Sequence, residues 1–174
     1  MGWRRLCRGV VLGIAMTTAL AEPAAARLRC TLMLPAQAAA GQAVPLRLRL
    51  ANPGPTGVHL LVWGTPFEAA WFAPFVSVFR DGTELAYRGA ALKRGDPERS
   101  EYLYLAPGRS RSATLDLAEA FDLTQPGRYR VEPRLVLHDV LPADAARPPR
   151  SRAQHAPQAT ACAAVTFELR SPRP

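Results

Sequence analysis

The residues of this 174-residue chain that could do chemistry are few and far apart. His59, His138 and His155 fall in three different segments, and no His-Glu-x-x-His run places two imidazoles and a base on one helix face. Ser77, Ser100, Ser110 and Ser112 lack the Gly-x-Ser-x-Gly setting that holds a nucleophile on a strained turn. No glycine-rich loop opens a helix to cradle phosphate. The acidic residues are dispersed, so no carboxylate pair can be nominated for acid-base work. On these grounds the sequence predicts a protein that is not an enzyme and has no catalytic residue, metal site or cofactor.

What remains is a run of aromatic and basic residues between positions 63 and 105. Trp63-Gly64-Thr65-Pro66-Phe67-Glu68 is followed by Trp71-Phe72-Ala73-Pro74-Phe75, then Tyr87-Arg88-Gly89, Lys93-Arg94-Gly95 and Glu101-Tyr102. Aromatic side chains and arginine dominate the energetics of protein contact sites. Trp63, Phe75 and Tyr87 could equally plug one end of a folded domain. Trp71, Phe72, Lys93, Arg94 and Tyr102 are the candidate partner-binding residues, the first four because they fall in expected loops.

The elements that must position them are strands. From Arg27 onward apolar residues alternate with period two, and Pro and Gly interrupt the pattern at short intervals. Leu28 to Leu34 and Val44 to Leu50 alternate cleanly, the second with Arg47 and Arg49 outward. Asn52-Pro53-Gly54-Pro55 turns the chain. Val58 to Trp63 is more continuously apolar, as a central strand would be. Phe75 to Phe79 and Glu84 to Tyr87 flank Asp81-Gly82, a pair suited to the positive backbone angles of a tight hairpin. Further strands are expected at Glu101 to Leu105, Ser110 to Leu117, Tyr129 to Val140 and Thr160 to Leu169, with one helical turn within Ala118 to Leu123. Pro126-Gly127-Arg128-Tyr129 after Leu115-Asp116-Leu117 suggests a tyrosine corner. The expected fold is all-β, an immunoglobulin-like antiparallel sandwich of eight to nine strands. Pro142 to Gln158, rich in Pro, Arg and Ala, is expected to be a mobile loop without a core face.

Charge and cysteine usage place the chain in a compartment. Residues 1 to 26 have a basic start (Arg4, Arg5, Arg8), an apolar stretch from Val10 to Leu20 and a small-residue end, the layout of a secretory signal peptide. Cleavage could follow Ala21 or Ala26. The apolar stretch is short for a bilayer span and none of about 18 residues follows, so no membrane anchor is expected after processing. The protein is therefore expected to be periplasmic or secreted. The whole chain has 22 Lys and Arg against 14 Asp and Glu; losing three Arg and Glu22 leaves 19 against 13, or +6. Lys93 is the only lysine, and the arginines are scattered, which argues against a nucleic-acid stripe. Cys30 and Cys162 remain after processing, and in an oxidising compartment an even pair is most simply a disulfide.

The ordered motifs Leu61-Val62-Trp63-Gly64-Thr65-Pro66-Phe67-Glu68, Arg80-Asp81-Gly82, Tyr87-Arg88-Gly89 to Lys93-Arg94-Gly95, Leu105-Ala106-Pro107-Gly108 and Gln125-Pro126-Gly127-Arg128-Tyr129 resemble a known family. They are similar to the amino-terminal non-catalytic region of deuterolysin-type (aspzincin) zinc endopeptidases, with the peptidyl-Lys metalloendopeptidases as the nearest branch. The resemblance covers about residues 43 to 140. The catalytic His-Glu-x-x-His and Gly-Thr-x-Asp motifs of that family are missing from this sequence, so zinc and hydrolysis do not carry over. The resemblance implies an exported non-catalytic module with a secreted zinc endopeptidase as partner, acting as inhibitor or folding assistant, and Lys93 as the occupant of a lysine-specific pocket. The alternative is a structural or adhesive envelope protein that binds a surface partner through the 142 to 158 loop. Residues 27 to 174 are expected to form one domain behind the signal peptide.

Overall fold

A computed structural model describes residues 28–144, 146–155 and 157–172. The expected signal peptide, residues 1 to 26, lies outside them. The described residues form thirteen strands, in chain order β1 (Arg29–Met33), β2 (Gln37–Ala39), β3 (Pro45–Ala51), β4 (Val58–Leu61), β5 (Val76–Arg80), β6 (Thr83–Glu84), β7 (Tyr102–Leu105), β8 (Ser110–Asp116), β9 (Gly127–Pro133), β10 (Val136–Leu137), β11 (Val140–Pro142), β12 (Gln158–Ala159) and β13 (Val165–Arg170). Helical structure among the described residues is confined to single 3-10 turns such as Leu117–Glu119, where one helical turn was expected.

Alternation decides the layers. In β3 the residues Leu46, Leu48 and Leu50 are fully buried while Arg47 and Arg49 face solvent. The ladders run β1-β3-β8, β11-β4-β7 and β2-β13-β9-β5-β6, with a short β10-β12 pair. The architecture is an all-β, immunoglobulin-like sandwich, antiparallel except where β2 runs parallel to β13. Buried Asn52 ties neighbouring turns together. Its side-chain amide donates to the carbonyls of Thr56 and Leu105 at 2.8 and 3.1 Å, and its backbone exchanges bonds with Arg109 and Gly108. A buried amide satisfied in this way fixes the turns in one arrangement.

Local signals produce local structure where the chemistry is strict. Asp81 and Gly82 have φ of 49° and 87°, the two positive angles of a two-residue hairpin loop, and Arg80 pairs with Thr83 across it. The Tyr129 hydroxyl donates to the Gln125 carbonyl at 2.6 Å, so the tyrosine corner is present. The long strand expected over 129 to 140 is instead broken into β9, β10 and β11. β9 ends at Pro133, and Arg134 donates its N–H to Phe75, while β11 turns away to pair with β4.

The disulfide joins Cys30 on β1 to Cys162 ahead of β13, with Cα atoms 4.9 Å apart across a sequence separation of 132. The Pro/Arg-rich segment is a loop, but it does not stand off as an arm. Pro148 is buried, Arg150 pairs with the fully buried Asp139, and Ser151 to Gln154 form a capped 3-10 turn. The expectation that this segment contributes nothing to the interior overlooked the buried acid waiting for its arginine.

Candidate functional site

The aromatic and basic residues of the 63 to 105 region separate into two groups. Trp71 belongs to the core. It is 5% exposed, stacks on Phe75 with centroids 4.6 Å apart, meets Phe121 edge-on at 5.9 Å, and donates its indole N–H to the Asp116 carbonyl at 2.8 Å. Its selection as a contact residue is corrected: a position outside regular structure does not make a large indole solvent-facing when three rings enclose it. Phe75 plugs the sandwich, as expected. Tyr87 packs on Phe121 and donates to the carbonyls of Trp71 and Ala90, each at 3.1 Å. Burial pushes the Tyr87 phenol pKa up.

The second group surrounds Arg94. Its guanidinium lies 5.2 Å from the Trp63 ring centroid and 5.6 Å from that of Phe72, within cation–π range of both. One edge is ion-paired with Glu68, and Glu101 lies 3.8 Å away. Glu68 also accepts the Gly64 N–H at 2.6 Å, and Glu101 accepts the Trp63 indole N–H at 2.7 Å. The local sequence builds this arrangement. Thr65 caps the 3-10 turn Pro66–Glu68 that brings Glu68 back toward Gly64. Glu98 and Glu101 form a reciprocal cap that fixes Glu101 at the head of β7.

A cleft of about 310 Å³ opens beside this cluster, lined by Trp63, Phe72, Leu92, Arg94, His138 and His155. His138 and His155, remote in sequence, thus share one cleft, whereas His59 lies against Tyr104 with centroids 5.0 Å apart. Burial lowers the His138 pKa, with help from neighbouring His155 and from the guanidinium groups of Arg152 and Arg94 against the opposing effect of Glu68. Behind the cleft, Asp139 accepts the Tyr102 hydroxyl at 2.9 Å and the Arg150 Nε–H at 3.1 Å. Burial first, then the Asp139 contact, pushes the Tyr102 phenol up to about 12. Tyr102 is a half-buried anchor.

Lys93 is exposed, next to the half-buried Arg94. The loop before it is pinned at both ends. The Ala90 N–H donates to the Trp71 carbonyl at 3.0 Å, and Arg152 donates to the Arg94 carbonyl at 2.5 Å while its own N–H binds Asp96 at 2.8 Å. Between the pins, Ala91, Leu92 and Lys93 are all exposed without regular secondary structure. Gly89 makes room for the anchor, since a Cβ there would lie 2.2 Å from the Tyr87 hydroxyl. Of the sequence-selected residues, Phe72 and Arg94 meet at this site, Lys93 is exposed on the adjoining loop, Tyr102 supports the site from behind and Trp71 lies in the core. Asp139, Arg150 and Arg152 carry no local pattern that marks them, and His138 and His155, noted in the sequence as remote from each other, are brought together because the link between β10 and β11 and the segment after β11 meet here.

The site is thus a half-buried arginine within reach of two rings, beside an exposed loop held at both ends. No protein-family model matches the chain. It is similar to an extracellular protease of Aeromonas hydrophila, with 33% identity over 88 residues, which are 51% of this chain and 25% of that protein. The chain thus matches about a quarter of the length of that curated relative. The expected kinship with a secreted protease holds at this coarser level. Among solved structures, the CARDB domain of a Pyrococcus furiosus protein overlaps with a TM-score of 0.33 and 14% identity, covering 83% of this chain and 94% of that domain. An alkylpurine DNA glycosylase of Pseudomonas fluorescens bound to DNA with an abasic-site analogue overlaps with a TM-score of 0.37 and 17% identity, covering 83% of this chain and 31% of the glycosylase. Overlaps of that extent assign no function.

Proposed function

We propose that this chain is an exported, non-catalytic binding module, one sandwich domain over residues 27 to 174 behind a signal peptide, that meets a secreted zinc endopeptidase as inhibitor or folding assistant. The observation that carries this reading is the Ala91-Leu92-Lys93 loop, exposed between the pinned residues Ala90 and Arg94. A loop held in one shape loses little conformational entropy when it enters a partner's cleft. Lys93 supplies the cation that a lysine-selecting peptidase pocket takes, and Leu92 and Phe72 supply apolar surface beside it. The similarity to an extracellular protease over half the chain supports the choice of partner. The deuterolysin-type assignment rests on the motif resemblance.

The test is titration of the purified mature protein against a peptidyl-Lys metalloendopeptidase, following hydrolysis of a lysyl substrate and the yield of active enzyme refolded from urea. Either inhibition or a gain in refolded activity is expected. Lys93→Ala should weaken the effect about tenfold or more, as removal of a central anchor does. No inhibition, no gain in refolding and no complex on a sizing column would overturn the proposal.

A further inference from the structure

The outer face of the β1-β3-β8 ladder carries arginines but almost no acid. Arg47 and Arg49 stand on the solvent side of β3, and register places Thr31 of β1 and Ser112 of β8 opposite Arg49, with Thr114 of β8 opposite Arg47. Arg29, opposite Ala51, continues the surface on β1. Arg49 donates through Nε and Nη2 to Ser110 Oγ at 3.1 and 3.0 Å. Among the described residues no carboxylate forms an ion pair with Arg29, Arg47 or Arg49. The sole acid in these three strands, Asp116, ends the ladder and accepts the N–H groups of Val44 and Ala118.

The five-stranded sheet provides the comparison. There Arg130 pairs with Glu132 and Arg170 with Glu168, while Arg134, just past β9, pairs with Glu84. Arg80 and Arg128 of that sheet form no ion pair among the described residues, so the contrast lies in the acids: Glu84, Glu132 and Glu168 stand on the five-stranded sheet, and the three-stranded ladder has only Asp116. On the acid-poor face a two-residue strand step sets the Cα atoms of Arg47 and Arg49 about 6.8 Å apart; Arg49 already gives its Nε–Nη2 edge to Ser110, and a carboxylate taken bidentately there would replace that hydroxyl. Hydroxyls flank them. The strands present no aromatic ring outward on which bases could stack and no protruding helix to enter a duplex groove. Met33 is the one large apolar side chain exposed there, too little to insert into a bilayer.

We propose that this face binds a linear acidic polysaccharide, with Arg29, Arg47 and Arg49 taking its carboxylates and the flanking hydroxyls bonding its sugar oxygens. This surface lies outside the Arg94 cluster and does not depend on the peptidase reading.

The test measures binding of the mature protein to polygalacturonate by titration calorimetry at two salt concentrations, with neutral dextran, duplex DNA and phosphatidylserine vesicles as comparisons. Polygalacturonate should bind most tightly, more weakly at high salt, and dextran not at all. The combined Arg29→Gln, Arg47→Gln and Arg49→Gln variant should lose about tenfold or more in affinity, while combined Arg130→Gln and Arg134→Gln should stay within about twofold. If the triple variant does not fold, Arg47→Gln and Arg49→Gln singly should each lose about threefold. Equal losses from both sheets, equal binding of dextran, tighter binding of DNA or vesicles, or unchanged single variants would each overturn the proposal.

Discussion

Arg94 and Trp63 lie 5.2 Å apart, guanidinium to ring centroid, and two acids hold them so: Glu68 takes the arginine and Glu101 takes the indole N–H. Because the Glu68 side chain is only 7% exposed, the arginine is its main charge partner as well as a contact surface.

Arg94→Ala should therefore destabilise the fold by about 2–3 kcal/mol, less than for a wholly buried pair because the arginine itself is 22% exposed. Arg94→Ala combined with Glu68→Gln should recover part of that loss, since the uncompensated charge is then gone. Urea unfolding of the wild type, both single variants and the double variant measures the coupling. A purely additive result would show that the pair does not act as a unit.

Asp139 is fully buried and serves Tyr102 and Arg150 together. Asp139→Ala should cost about 3 kcal/mol by leaving a charge and a phenol without their partner. It should also release the segment after β11. Limited digestion by an arginine-specific protease should then cut after Arg150 or Arg152 well before the wild type is cut, and thermal unfolding should confirm the lower stability.

Stability should fall at both ends of the pH range for stated reasons. The Tyr102 phenol, raised to about 12, keeps its proton in the fold after the unfolded chain begins to lose it. Its contribution is intact below about pH 10 and is lost as pH rises from there toward 12. Tyr87 and Tyr129, also raised by burial, add to the same alkaline loss. At the acid end, His138 is held below its ordinary value, so its contribution is present above about pH 6.5 and is lost as pH falls through the lower folded value. Chemical denaturation across pH 4 to 12 should show both shoulders. His138→Gln should flatten the acid one, and Asp139→Asn should move the alkaline one to lower pH.

Reduction should lower stability by up to about 4–5 kcal/mol, the chain-entropy value for a loop this long. Cys30→Ser with Cys162→Ser should reproduce the effect without reductant. Intact mass under non-reducing conditions should be lighter by two hydrogens than after reduction, and equal masses would count against the bond.

Much of this molecule is legible where one residue type has one physical use. The hairpin at Asp81-Gly82 and the corner at Tyr129 need particular backbone angles or a particular phenol, and both are where the sequence puts them. β2, β10 and β12 are two or three residues long, too short for any period to declare itself; β2 exists because β13 offers it an edge, and β10 and β12 because each offers one to the other. The site is legible only in part for the same reason. Trp63, Glu68 and Arg94 lie near one another in sequence, but the His138–His155 wall and the Asp139–Arg150 pair depend on how the chain returns, which no local pattern encodes. Trp71 shows the opposite limit: its surroundings in sequence resemble a loop, and only the converging rings of Phe75, Tyr87 and Phe121 make it core.

The cross-link between Cys30 and Cys162 also determines how the molecule bears load. Tension applied across the two flanks passes through the covalent bridge and bypasses the residues between, so of the β1-β3 ladder it reaches only the Arg29–Ala51 pair ahead of Cys30. Beyond the bridge, drawing out β13 must break its ladders with β2 and β9 together. The Ala91 to Lys93 loop lies wholly inside the shielded stretch, so it keeps its shape while the ends are pulled.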